Sequence, residues 1–346
     1  MKSNKRIEWI DYLKAFACLL VVIGHLIQSL QKAGIDNYEG LTSFINYFIY
    51  LFHMPLFMCM SGFLYCNKKQ QFSWNNYKKF EIKKIFNLLV PYFTFYLVYV
   101  IVNMIFSSSV NSPKGISDIV AIFNNPISPY WFLYALLSIF IVMPLIEKIL
   151  KYNKKNVMFF LVCLKIMYIF IQTPIYFINQ IMAYGIYFYF GNFINEIIQN
   201  RNMKKIILNT GIYIILSIIV YCSMNNINQY IKGLIDIFFA IDGIIICVQV
   251  FYNVNKSTFL NTFKRYTFQI FVLHTIFAAG VRIVLLKIGI TSYFIHFVFG
   301  ILASIYIPVL VSNISNKIVY TDFFFFPIKT IEEIKERKIK NGRKET

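Results

Sequence analysis

Residues 11–25, DYLKAFACLLVVIGH, decide the fold. The apolar run continues to Leu30 without a helix breaker, long enough to cross the hydrocarbon core of a bilayer. Yet it carries Lys14 and His25, eleven residues apart. At ~100° per residue that step closes about three turns, so both side chains share nearly one helix face, ~16 Å apart along the axis. Ionisable side chains within a span are costly unless they line a polar interior, which makes this pair a functional-site candidate.

The rest of the chain agrees with a membrane reading. Hydrophobic residues make up 58% of the 346 and charged residues 14%, more apolar surface than a soluble core can absorb. Apolar runs of roughly 20 residues lie near 12–30, 43–65, 84–106, 131–147, 157–173, 180–198, 206–223, 233–253, 267–286 and 293–316. The expected fold is an all-α polytopic membrane protein of about ten transmembrane helices. With the N-terminus cytoplasmic, 27 of the 34 basic residues fall in inner segments and four (Lys32, Lys114, Lys232 and Lys287) in outer loops. The positive-inside bias then predicts both termini cytoplasmic. The net charge of +19 reports topology and anionic lipid rather than nucleic acid. Residues 1–326 read as one transmembrane domain and 327–346 as a charged cytoplasmic tail, a solvated helix or disorder. The first span has no small-residue cleavage site and reads as retained. Six cysteines show no zinc or redox spacing, and no metal site is expected. No internal repeat stands out, which counts against a secondary transporter.

Two connections stand out. The polar stretch 66–83, with interspersed aromatics, reads as lying at the interface, and 107–130, rich in turn formers, is the longest outer loop. Depth along each span follows from ~1.5 Å of rise per residue. His25, His53 and His274 then all fall in the middle third of the membrane, whereas His296 sits near an outer end. One intramembrane histidine bonded to a carbonyl is ordinary; three at one depth, of four in the chain, point to a shared role. Neutral imidazole is cheap to bury and exchanges protons near neutral pH, as a general base requires. Asp11 and Lys14, three residues apart, are placed to pair. Lys165 and Asp242 come out at comparable depth and are expected to form an intramembrane ion pair. In FHMPLFMCMSGFLY, 52–65, Pro55 breaks helical hydrogen bonding and Ser61-Gly62 permits close helix approach. Lys83 and Lys84 open the third span, as a topology signal or as an anion clamp.

Together DYLKAFACLLVVIGH (11–25), FHMPLFMCMSGFLY (52–65), KKIFNLLVPY (83–92), YWFLYALL (130–137) and FQIFVLH (268–274) resemble the membrane acyltransferase-3 family, within it the fucose-4-O-acetylase-like branch. The matching stretches are spread over most of the chain, and the basic-x10-His element is the most specific. The resemblance implies transfer of an acyl group, commonly acetyl, from cytoplasmic acyl-CoA to a hydroxyl of a cell-surface or lipid-linked glycan. The family's basic residue and histidine carry over to Lys14 and His25, and His274 matches a histidine frequent near the end of the family's core. Many members have arginine at position 14, and lysine keeps the charge without the bidentate fork.

Acyl transfer to a hydroxyl needs a base, and His25 is the best candidate, as base or as acyl relay. Lys14, with Asp11 beside it, would meet the CoA phosphates or polarise the thioester carbonyl. His53 and His274 join the catalytic candidates, Lys83 and Lys84 are candidates for binding the acyl-CoA, and Ser61, Tyr130 and Trp131 for binding the acceptor. No tightly bound cofactor is expected: acetyl-CoA or another acyl-CoA is a donor substrate. The expected location is a bacterial-type plasma membrane, in contact with its lipids. The competing classes are a transporter or flippase of a lipid-linked sugar, and a haem or quinone protein with histidine ligands.

Overall fold

A computed structural model describes residues 8–67, 74–252, 258–317 and 319–342. Among them there is no strand. The long apolar runs become helices: α1 (Glu8–Lys32), α2 (Glu39–Asn67), α3 (Trp74–Ile105), a short α4 (Ile116–Val120), α5 (Trp131–Ile149), α6 (Lys154–Phe170) and α7 (Tyr176–Phe190). Then follow α8 (Ile194–Gln199), α9 (Met203–Cys222), α10 (Gln229–Phe251), α11 (Thr258–Lys264), α12 (Thr267–Lys287), α13 (Tyr293–Ser315), α14 (Val319–Asp322) and α15 (Pro327–Gly342).

Eight of these, α1, α2, most of α3, α5, α9, α10, α12 and α13, are long and apolar enough to cross a bilayer. The chain is therefore a polytopic, all-helical membrane protein. The fifth and sixth expected spans form α6 and α7, of 17 and 15 residues. At ~1.5 Å per residue neither reaches the ~30 Å of a full hydrocarbon core alone. Beyond α7 a 3-10 turn at Gly191–Phe193 leads directly into α8.

Local chemistry sets the boundaries. Asn153, Asn202 and Asn228 cap α6, α9 and α10, each side-chain oxygen accepting from backbone N–H groups of the first turn. α1 and α12 end alike. Gly34 (φ +68°) and Gly289 (φ +81°) take the left-handed conformation, and the next residue reaches back, Ile35 N–H to Leu30 O and Ile290 N–H to Leu285 O. Lys32 and Lys287 thus occupy equivalent last-turn positions at one end of the bundle.

The core winds around α2, which packs against α1, α7 and α10, while α12 packs against α13 and α1. Gly62 explains the closest crossing: a Cβ there would lie 1.7 Å from the Phe188 carbonyl oxygen, and one at Gly191 would lie 2.3 Å from Phe63 N. Backbones meet directly at that point, as small residues permit between membrane helices.

Three expectations are adjusted. Part of the interfacial stretch, residues 68–73, lies outside the described residues; from Trp74 the chain is already the helix that becomes the third span. The tail forms α15, which docks on α3: Ile328 N–H donates to Asn87 Oδ1 (3.4 Å) and Lys83 pairs with Glu332 (3.3 Å). Asp242 does not serve Lys165. It accepts from Asn209 Nδ2 at 2.7 Å, and the carboxylate that couples electrostatically to Lys165 is Asp236, nearly two turns earlier on α10. The six residues between the two carboxylates separate them by ~9 Å along α10 and by about 120° around it, so both the level and the rotation of α10 decide between them.

Candidate active site

Three helices bring the midplane histidines together. His25 (α1) and His274 (α12) have ring centroids 5.3 Å apart, and Tyr50 (α2) stands edge-on to His25 at 6.4 Å and to His53 at 4.6 Å. The order across the bundle is therefore His274, His25, Tyr50, His53. Tyr50 has no signal in the sequence beyond lying one helical turn before His53. Gly24 makes room for it, since a Cβ there would meet Tyr50 Cε2 at 2.9 Å.

The hydrogen bonds fix the tautomers of the outer two rings. His53 Nδ1 faces Ile49 O at 2.7 Å, and His274 Nδ1 faces Phe271 O at 2.8 Å and Ile270 O at 3.1 Å. A carbonyl only accepts, so Nδ1 carries the proton in both, and in the neutral ring Nε2 keeps the lone pair. Both residues are buried, and His274 Nε2 has no hydrogen-bond partner. Among the described residues no group of three or more His, Cys, Asp or Glu has a metal-holding arrangement.

His25 differs from its neighbours because it reaches open space. It lines a cavity of about 680 Å³ at the end of the bundle where α1 and α12 terminate. Its Nε2 lies 3.4 Å from Ser128 Oγ on the loop that joins α3 to α5. The walls come from Gln28, Ser29 and Lys32 of α1, from Tyr99 to Phe106 of α3, from the loop, and from Thr275 to Lys287 of α12. The loop is tied down on both sides: Asn111 Nδ2 donates to Ser29 O (2.8 Å), Tyr96 OH to Asp118 O (2.7 Å), and Tyr92 OH to Ile122 O. On the same loop, Asp118 accepts from Gly115 N–H (2.9 Å) and Lys114 Nζ (3.1 Å). Burial pushes the Asp118 carboxyl up, but these two donors hold it below its ordinary value.

A sequence profile described as an acyltransferase domain matches residues 7–313. The chain belongs to the acyltransferase-3 family. The matched region takes in every helix that lines the cavity. Two curated relatives match over a shorter stretch of 62 residues: the nodulation protein NolL of Sinorhizobium fredii (strain NBRC 101917 / NGR234), 42% identical, and that of Mesorhizobium japonicum (strain LMG 29417 / CECT 9101 / MAFF 303099), 44% identical. Each match covers 18% of this chain and 16% of the relative's length. No solved structure matches the chain.

The remaining candidate residues separate into two places. Asp11 and Lys14 lie half-buried on the first turns of α1, about three turns from the cavity, and Lys83 and Lys84 lie at the same end of the bundle. Lys84 Nζ sits 4.0 Å over the Phe140 ring. The three residues expected at the acceptor do not line the cavity. Ser61 donates to Phe57 O of its own helix (2.9 Å), beside the Gly62 crossing. Tyr130 is fully buried and donates to Val272 O (2.9 Å); Trp131 packs on Tyr184 with ring centroids 5.2 Å apart. The residues just before them, Asn125 to Ser128, form the wall instead. A helix in a packed bundle turns its aromatic residues inward, and the preceding loop is what remains to face the opening.

Proposed function

We propose that the protein is an O-acyltransferase that moves an acyl group, in the first instance acetyl, from acyl-CoA on the cytoplasmic side to a hydroxyl of a cell-surface or lipid-linked glycan. The observation that carries this reading is the position of His25: it joins the buried histidine cluster and also lines the cavity at the opposite end of α1 from Lys14. The 27-to-four partition of basic residues orients the bundle, with the Lys14 end in the cytoplasm of a bacterial-type cell and the cavity outside.

In this scheme the acceptor hydroxyl enters the cavity and gives its proton to His25 Nε2. The hydroxyl oxygen forms the ester bond to the acyl carbon, the thioester C–S bond breaks, and the CoA thiolate leaves and takes up a proton. His274, with its own Nε2 lone pair beside His25, stabilises the imidazolium that forms. Lys14, Lys83 and Lys84 serve the phosphates of the donor, and Asp11 holds Lys14 in place. If His25 instead carries the acyl group in a first half-reaction, label from acetyl-CoA will accumulate on the protein when no acceptor is present.

The test is surface-glycan mass spectrometry of cells expressing wild type or His25→Ala at equal abundance. Wild type should add an acyl mass, 42 Da for acetyl by roughly three decades of signal over the variant, the scale expected when an essential base is lost. Acylation by His25→Ala at the wild-type rate would end the proposal.

A further inference from the structure

Outer basic residues are scarce in this chain, yet three of the four gather at one place, with Arg282 of α12 beside them and Lys232 apart. Lys32, Lys114, Arg282 and Lys287 all line the one 680 Å³ cavity, and among the described residues Asp118 is the carboxylate that lines it with them. Lys114 and Asp118 neutralise each other at 3.1 Å (i,i+4). Three cations remain. The positive-inside bias works against lysine and arginine at this end, so their concentration around a single opening calls for a local cause.

Lys32 and Lys287 have a local cause of another kind. Both sit in the last turn of a helix, where a cation is favoured by the helix dipole. Arg282 has no such explanation. It lies more than a turn before the end of α12 and is 4% exposed. Its Nη1 donates to the Ser29 carbonyl (3.4 Å) and hydroxyl, neutral partners both. Its Nε is buried without a partner, and among the described residues no carboxylate lies within ion-pair distance of it. A buried guanidinium with an unused donor, held by neutral acceptors on a cavity wall, is a site awaiting an oxyanion. It follows His274 by eight residues, ~12 Å along α12, and Lys32 follows His25 by seven, ~10 Å. The cationic ring therefore stands one short oligosaccharide's reach from the cluster that would activate the hydroxyl.

We propose that the cavity takes an acceptor glycan bearing an oxyanion, phosphate or carboxylate, bound by Arg282 with Lys32 and Lys287 while the hydroxyl to be acylated faces His25. The identity of the bound glycan as the acceptor rests on the function proposed above; the preference for an anion does not. Arg282 supplies the directed contact, because its fork matches a two-oxygen anion, and the two exposed lysines raise the local concentration of the negative ligand.

The experiment uses the full chain in nanodiscs of zwitterionic lipid and equilibrium dialysis against three labelled trisaccharides. One is a uronic acid trisaccharide, the second its carboxyl-reduced neutral form, and the third that neutral form phosphorylated at a primary hydroxyl. At least one anionic form should bind roughly tenfold or more tightly than the neutral one, the size of one charge-assisted hydrogen bond; the tighter of the two identifies the anion. Arg282→Gln should shrink that ratio to about twofold, with Arg282→Lys between. The exposed pair Lys32→Gln/Lys287→Gln, which does not disturb the core, should weaken anion binding and flatten its salt dependence. Equal binding of neutral and anionic forms would overturn the proposal, as would a preference unchanged in both the arginine and the lysine variants. Displacement of the anionic trisaccharide by coenzyme A at a similar concentration would assign the cavity to the donor and overturn it too. Anion-selective binding without acyl transfer to any acceptor would leave this inference standing and remove the function it was joined to.

Discussion

The two ends of the bundle are built by opposite means. At the Lys14 end, α2 and α7 close until backbones touch, with Gly62 against Phe188 and Gly191 against Phe63. Exposed lysines there find carboxylate partners, as Lys83 does in Glu332 and Lys329 in the buried Asp322 and in Glu333. At the other end, α1, α3 and α12 stand apart around the 680 Å³ cavity, and three of the four outer lysines line it together with Arg282. Charge count and charge placement therefore carry different information.

The contrast predicts that the closed end fails by steric conflict. Gly62→Ala puts a methyl group into the Phe188 carbonyl, where neither partner is a flexible side chain. It should lose about 3 kcal/mol or more of stability and most of the folded yield in detergent, whereas Arg282→Gln at the open end should purify like wild type. Equal melting temperatures for Gly62→Ala and wild type would break the comparison.

Between the ends, the Lys165 and Asp236 coupling is open to a double-mutant cycle. Lys165→Met and Asp236→Asn should each be destabilising, and together less so than their sum by about 1 kcal/mol. Strict additivity of the two would dissolve the pair, and a coupling of Lys165 to Asp242→Asn instead would restore the assignment drawn from depth alone.

The smallest effect belongs to the cavity loop. Asp118 has a folded pKa below its unfolded value, so its contribution to stability is present above about pH 4 and is lost as pH falls through the folded value. The pair is partly exposed, so Asp118→Asn should cost at most about 1 kcal/mol. Protease nicking of residues 107–130 is the readout: acidification from pH 6 to 3 should accelerate it in wild type relative to Asp118→Asn. Identical acid profiles would show that the carboxylate does not hold the loop.

Much of this arrangement is legible in the sequence because helices convert residue number into depth. Eight of the ten expected spans, the gathering of His25, His53 and His274, and the close approach at Gly62 all follow from rise per residue and side-chain size. What depth does not give is rotation. Asp236 and Asp242 differ in phase as well as by ~9 Å in level, and the packing of α10 against α6 and α9 settles which of them Lys165 meets. Tyr130 and Trp131 sit at the right level but turn into the core. In the sequence Arg282 is one more basic residue within a span. Its burial and its neutral partners become visible only when α1 and α12 are set side by side.

The tyrosines of α3 have a consequence for how the opening behaves. Tyr92 and Tyr96 reach out of a membrane helix to grip main-chain oxygens of Ile122 and Asp118, and Asn111 fastens the far side to Ser29. A segment moored at three points to two helices is masonry, fixed when the bundle forms. The dimensions of the chamber above His25 are then set once, by folding, and a ligand is chosen by whether it fits the finished room.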